Sequence, residues 1–158
     1  MDTLTPDELI DLLAAGRCAD PRVAAKLERA AKICRETGES FGVLLGIEQR
    51  QDSGPIDYAR RNDFLRRAWG LLDAGPLRAR GKQLNHEINK FWTVFWPKWS
   101  ALPYPPDDAS ELRAALFWAM IAGRGFLPTG WRQLADICAV DPEVIAQNSR
   151  NTVTAVNG

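Results

Sequence analysis

The chain has 158 residues, 46% of them hydrophobic, with three cysteines and 20 basic side chains balanced by 20 acidic ones. That length and composition fit one domain or two closely packed lobes whose core needs neither disulfides nor metal. Zero formal charge argues against a strongly basic nucleic-acid coat, and no apolar run approaches the roughly 18 residues of a membrane span.

Helix signals follow one another along the chain. Thr5 and Glu8 have capping-box spacing around Pro6, and Gly16 stops the helix they open. Asp20-Pro21 starts a second, whose apolar stripe is Val23, Leu27, Ala30, Ala31 and Cys34, ending at Gly38. Ser40 begins a short third segment, Phe41 to Ile47. Gln51-Asp52-Ser53-Gly54-Pro55 reads as a loop and a lobe boundary. A fourth helix is expected from about Ile56 to Ala74, with Phe64, Leu65, Ala68, Leu71 and Leu72 on one face. The fifth, about Leu77 to Trp96, carries Leu84, Ile88, Phe91, Trp92 and Phe95 before Pro97.

Pro103, Pro105 and Pro106 make residues 101–108 an extended, stiff connector. Asp107 or Asp108 is expected to cap helix six, Ala109 to Ala122, with Leu112, Leu116, Phe117 and Met120 turned inward. Gly123 to Pro128 reads as a turn. Thr129 then caps helix seven, about Gly130 to Cys138, and Asp141-Pro142 opens helix eight, to about Arg150. The expected fold is all-α, a compact bundle of about eight helices. Its parts are an acidic N-terminal lobe over 1–50, a second lobe over 55–150, and a frayed tail over 151–158.

Cys18, Cys34 and Cys138 are odd in number, widely spaced and set among apolar or small residues, which reads as buried free thiols in a reducing compartment. The acidic N-terminus lacks the blocks of a signal peptide, so the cytoplasm is expected. No catalytic constellation assembles. The sole histidine, His86, falls opposite the apolar stripe of helix five and reads as exposed. No Cys/His cluster has zinc spacing, and Gly123-Arg124-Gly125 is too short for a phosphate cradle. A non-enzymatic chain with no metal, cofactor, small-molecule substrate or membrane partner is expected.

Charge is unevenly spread. Residues 1–58 carry 7 basic and 11 acidic side chains, whereas residues 59–100 carry nine basic against Asp63, Asp73 and Glu87, a net +6. Arg60, Arg66, Arg78, Arg80 and Lys82 on helices four and five are therefore candidate phosphate contacts. Arg66 is expected on the solvent face. Arg78, Arg80 and Lys82 sit at the start of helix five, where cations oppose the helix dipole and call for an anionic partner or an acidic neighbour. Pairing inside the chain is the competing reading, with Asp63 and Arg67 spaced for an i, i+4 bridge.

Phe91-Trp92-x-x-Phe95-Trp96-x-x-Trp99 gives a broad aromatic stripe flanked by Lys90 and Lys98. Core packing explains most of it, and stacking with single-stranded nucleic acid is the alternative. The stripe is too wide for one interior face. Trp96, Trp99 and Tyr104 are thus candidates for a protein interface.

Over residues 131–150, Leu134, Ala135, Cys138, Val140 and Ile145 have the spacing of a helix-turn-helix, with Asp141 and Pro142 opening the second helix. This segment resembles the helix-turn-helix DNA-binding motif family. Ala139 departs from the glycine usual at the turn, and Asn148 from an apolar position. The resemblance implies that Glu143, Ala146, Gln147 and Arg150 face DNA, Gln147 suited to adenine and Arg150 to guanine, with Arg132 nearby. The segment 129–150 holds two arginines against Asp136, Asp141 and Glu143, a net −1 that repels phosphate instead of drawing it in. Two functions are expected. One is a DNA- or RNA-binding regulator or subunit of a nucleic-acid-associated complex. The other is a protein-interaction module or inhibitor, acting on a protein partner or as a homodimer.

Overall fold

Four helix starts, at Thr5, Asp20, Asp57 and Ser110, are set by a capping side chain. In a computed structural model, which describes residues 4–17, 19–50 and 54–139, every described element is helix, turn or loop. Helix α1, Pro6–Ala14, opens on a full capping box. The Thr5 hydroxyl accepts from the Glu8 amide, and the Thr5 amide donates to the Glu8 carboxylate at 2.8 Å. The Thr5 hydrogen bonds hold the Glu8 carboxyl below its ordinary value, because they favour its charged form. Helix α2, Pro21–Thr37, is capped by Asp20, which accepts from Arg22 N, and ends on Gly38 in the left-handed region. Helix α3 is Phe41–Leu45.

Helix α4 runs Tyr58–Gly70, shorter at both ends than the sequence predicts, because the Asp57 carboxylate accepts from Arg60 N and fixes the start there. Helix α5 begins as Leu77–Lys90, continues through a π-helical turn, Phe91–Phe95, and closes with Trp96–Trp99. The sequence predicts a stop before Pro97, yet the helix passes it. Pro97 has no N–H for the carbonyl one turn back, and its ring crowds that carbonyl. The wider turn resolves this by having Trp96 N–H reach Phe91 O. Helix α6 is Glu111–Ala122, capped by Ser110 and not by Asp107 or Asp108. Helix α7 is Trp131–Cys138. The N-cap of α7 is Gly130, with no side-chain cap bond, so Thr129 does not serve as predicted. The described residues thus hold seven helices against the eight expected, and the eighth, over 142–150, lies outside them.

The chain divides into two compact units, Met1–Gly54 with Ala101–Tyr104, and Pro55–Ser100 with Pro105–Gly158. In the first, Leu9, Val23, Ala30, Val43, Leu44 and Leu45 are buried. Arg50 fastens Ala101–Tyr104 to it. Its Nε donates to Glu39 Oε2 at 2.9 Å, and Nη1 and Nη2 donate to the Leu102 and Pro103 carbonyls at 3.1 and 3.0 Å. The Arg29 guanidinium lies 4.2 Å from the Tyr104 ring centroid.

In the second unit α4 packs on α6 and α7, and α5 on α7. Helix α6 is buried on every side from Ala115 to Ala122, which makes it the central element. Leu116, Phe117 and Met120 are inside as predicted, whereas Leu112 is half-buried. Around them lie Phe64, Leu65, Ala68, Leu84, Ile88, Phe91 and Leu134; each large side chain so buried contributes about 1.5–3 kcal/mol. At the α5–α7 crossing a Cβ on Gly81 would lie 2.6 Å from the Trp131 carbonyl oxygen. Only glycine permits that approach.

Candidate nucleic-acid interface

Two of the arginines expected to face phosphate, Arg80 and Arg66, are spent on holding the second unit together. Arg80 Nη2 donates to the Trp69 carbonyl at 2.6 Å, and its guanidinium lies 4.6 Å from the Trp69 ring centroid. Trp69 sits in the last turn of α4, so Arg80 meets the negative end of that helix dipole. The cation that is unfavourable at the start of its own helix is favourable at the end of its neighbour. Arg66 acts alike: its Nε donates to the Ile137 carbonyl at 3.1 Å, near the end of α7. It is half-buried and not on the open solvent face predicted for it. Asp63 pairs with Arg66 at 2.8 Å, not with Arg67, whose guanidinium instead lies over the Phe64 ring. Arg60 is half-buried at the start of α4.

Arg78, Lys82 and Arg132 are exposed. The guanidinium carbons of Arg78 and Arg132 lie 5.7 and 5.3 Å from the Trp131 ring centroid, so the two cations share one indole. Lys82 follows Gly81, the residue against which the Trp131 backbone is pressed. Helices α5 and α7 both start without a side-chain cap, on Pro76 and Gly130. Their first amides add partial positive charge to the same corner. None of these three cations has a carboxylate partner among the described residues.

Of the helix-turn-helix-like segment, α7 alone is described. It buries Leu134, Ala135 and Cys138. Burial pushes the Cys138 thiol up to about 11, against the pull of Arg66 and Arg80. Val140, Ile145, Gln147 and Arg150, with the rest of the second helix, lie outside the described residues.

Trp96, Trp99 and Tyr104, the candidates for a protein interface, are each half-buried. Trp96 is half-buried against Phe91 and Phe117, with centroids at 6.4 and 6.1 Å. Trp99 is half-buried against Phe91 and Phe95 at 5.7 and 5.1 Å. The π-helical turn rotates the stripe so that these rings fold back on the core. Tyr104 is half-buried under Arg29. The open aromatic residues of this unit are Tyr58, Trp92 and Phe126, at 59%, 47% and 70% exposure.

Residue Arg61 also went unpredicted as a site, and it is 9% exposed. The signal was available: 61, 64, 65 and 68 fall on one helical face, so an arginine at 61 points at the core. His86 is exposed on α5, as its position opposite the stripe predicts. No group of three or more metal-ligating side chains occurs among the described residues, and no described helix is long and apolar enough to cross a membrane. No family model matches the chain, and no curated protein or solved structure matches it either.

Proposed function

We propose that this chain is a non-enzymatic nucleic-acid-binding protein of the cytoplasm, a small regulator or a subunit of a nucleic-acid-associated complex. The observation that carries the reading is the corner where Arg78 and Arg132 share the Trp131 ring, with exposed Lys82 one helical turn beyond Arg78 and no carboxylate partner for the three among the described residues. Two exposed arginines at two uncapped helix starts, with exposed Lys82 one turn further along α5, form a phosphate-seeking surface. Gln147 and Arg150, outside the described residues, remain the candidates for reading base edges.

The test is anisotropy of a labelled mixed-sequence duplex and single strand at rising salt. Each phosphate contact contributes about 0.9 to the log–log slope on duplex, so three predict a slope near −2.7. Arg78→Glu with Arg132→Glu should remove most of the affinity for every sequence, whereas Gln147→Ala and Arg150→Ala should change sequence preference. Absence of binding at about 50 mM salt, where phosphate contacts are strongest, would rule the reading out.

A second reading has its own support. Ile10, Phe41 and Ile47 are exposed on the first unit, within the net-acidic residues 1–58. These features suit a basic amphipathic protein segment, and cross-linking to such a partner that survives Arg78→Glu would favour this reading.

A further inference from the structure

A second cluster in the same unit meets at the turn after α6. Asp57 N donates to the Ala122 carbonyl at 3.1 Å, which sets the start of α4 beside that turn. The Arg61 guanidinium lies 4.8 Å from the Tyr58 ring centroid. A Cβ on Gly123 would lie 3.1 Å from Arg61 Cδ and 2.5 Å from the Phe126 carbonyl, so Arg61 packs directly on the turn. On the other side the Trp92 ring edge comes within 4.0 Å of a Cβ placed on Gly125. Tyr58, Arg61, the turn and Trp92 are therefore consecutive neighbours.

Two properties of this cluster are costly for a surface that does nothing. The first is Arg61. Its Nε and Nη2 donate to the neutral Asn62 Oδ1 at 3.1 and 2.9 Å, and no carboxylate pairs with it among the described residues. Burial pushes its pKa down, as expected for a cation taken out of water without a counter-ion. The second is the turn. Arg124 is held at φ 51, in the left-handed region that side-chain-bearing residues seldom adopt. Arg124 N, Gly125 N and Phe126 N donate to Ile121, Met120 and Gly123 carbonyls at 3.2, 2.9 and 2.9 Å. A fully bonded, strained turn thus holds Phe126 at 70% exposure.

Open π-faces beside a counter-ion-free guanidinium match a base and the phosphate next to it. We infer that the second unit takes nucleic acid single-stranded, with bases seated on Tyr58, Trp92 and Phe126 and a backbone phosphate facing Arg61; this rests on the nucleic-acid reading above. In a duplex the faces of the bases are stacked on one another, so these rings cannot engage them.

The test compares three labelled probes: a mixed-sequence single strand of about 15 nucleotides, its abasic counterpart, and the matching duplex. Phe126→Ala and Trp92→Ala alter exposed rings, and circular dichroism checks that both variants stay folded. Loss of one stacked base weakens single-strand binding about 5- to 150-fold. Each variant should show that loss on the single strand, and neither should shift the duplex or the abasic strand more than about twofold. Wild-type affinity of both variants for the base-bearing strand overturns the inference, and so does an equal loss on all three probes. If Arg78→Glu with Arg132→Glu still abolishes binding in that case, the phosphate corner stands and only the stacking site falls. If no probe binds the wild-type chain, both fall and the three rings belong to a protein interface.

Discussion

Replacing Gly81 with alanine tests the crossing that builds the basic corner. Alanine is the better helix former by about 1 kcal/mol, so propensity alone makes Gly81→Ala stabilising. The added Cβ, however, would lie 2.6 Å from the Trp131 carbonyl oxygen and 3.3 Å from Trp131 Cβ. Close carbon–oxygen contacts settle at about 3.3–3.6 Å, so α5 and α7 must part by roughly 0.7 Å or more. Forcing a packed contact open costs about 1–3 kcal/mol, which gives a net destabilisation of about 0–2 kcal/mol. Gly70, the last residue of α4, is the control, because a Cβ there would meet nothing within 4 Å. Gly70→Ala should stabilise by up to about 1 kcal/mol. Propensity is common to both variants, so the gap between them, about 1–3 kcal/mol, measures the clash. Urea unfolding followed by tryptophan fluorescence reads this cleanly. All six tryptophans, Trp69, Trp92, Trp96, Trp99, Trp118 and Trp131, belong to the second unit. Equal midpoints for Gly81→Ala and Gly70→Ala would show that the helices do not touch at this point.

Arg80→Met should destabilise the same unit by about 1.5–3 kcal/mol, since it removes a charged donor from the Trp69 carbonyl, and the fluorescence midpoint reports it. Arg50→Ala should cost the first unit about 3–5 kcal/mol by leaving Glu39 buried without its cation. It should appear as an early circular-dichroism transition with no change in tryptophan fluorescence. With Cys18→Ser and Cys34→Ser in place, the Cys138 thiol should resist alkylation at pH 8 until urea unfolds the chain. Its folded pKa of about 11 lies above the ordinary 9.0, so the folded state holds the proton more tightly. The share of stability from that burial is fully present below pH 9 and lost as pH rises towards 11. Cys138→Ala should flatten this part of the stability–pH curve, and a curve unchanged by the substitution would contradict the burial.

The helices were legible because their ends are written in a few residues. Thr5 with Glu8, Asp20 with Pro21, and Gly38 act locally, and each does in the structure what its position predicts. Ends fail to be legible where two candidates compete or where a distant contact decides. Asp107, Asp108 and Ser110 can all cap a helix, and Ser110 does so. Pro97 reads as a stop under the rules of a regular α-helix. Once one π-helical turn precedes it, the missing N–H has no bond to break, and the helix gains another turn.

The site was less legible because charge was counted along the chain while its use is decided across it. Net +6 over residues 59–100 points to helices α4 and α5. It cannot separate Arg80, whose guanidinium reaches the end of α4, from Arg78, two residues earlier, which lies beside Trp131. Residues two apart on a helix point to different sides, so adjacent cations serve opposite purposes. The same logic applies to the aromatics. Trp92 and Trp96 are one turn apart in a regular helix and should share a face. In the structure Trp92 is open beside Gly125, whereas Trp96 packs on Phe117. A cation is available to a partner only if no helix end or carbonyl inside the fold has already claimed it, and a ring only if no second ring has. By that criterion the candidates are Arg78, Lys82 and Arg132 at one corner, and Tyr58, Trp92 and Phe126 around Arg61 at another.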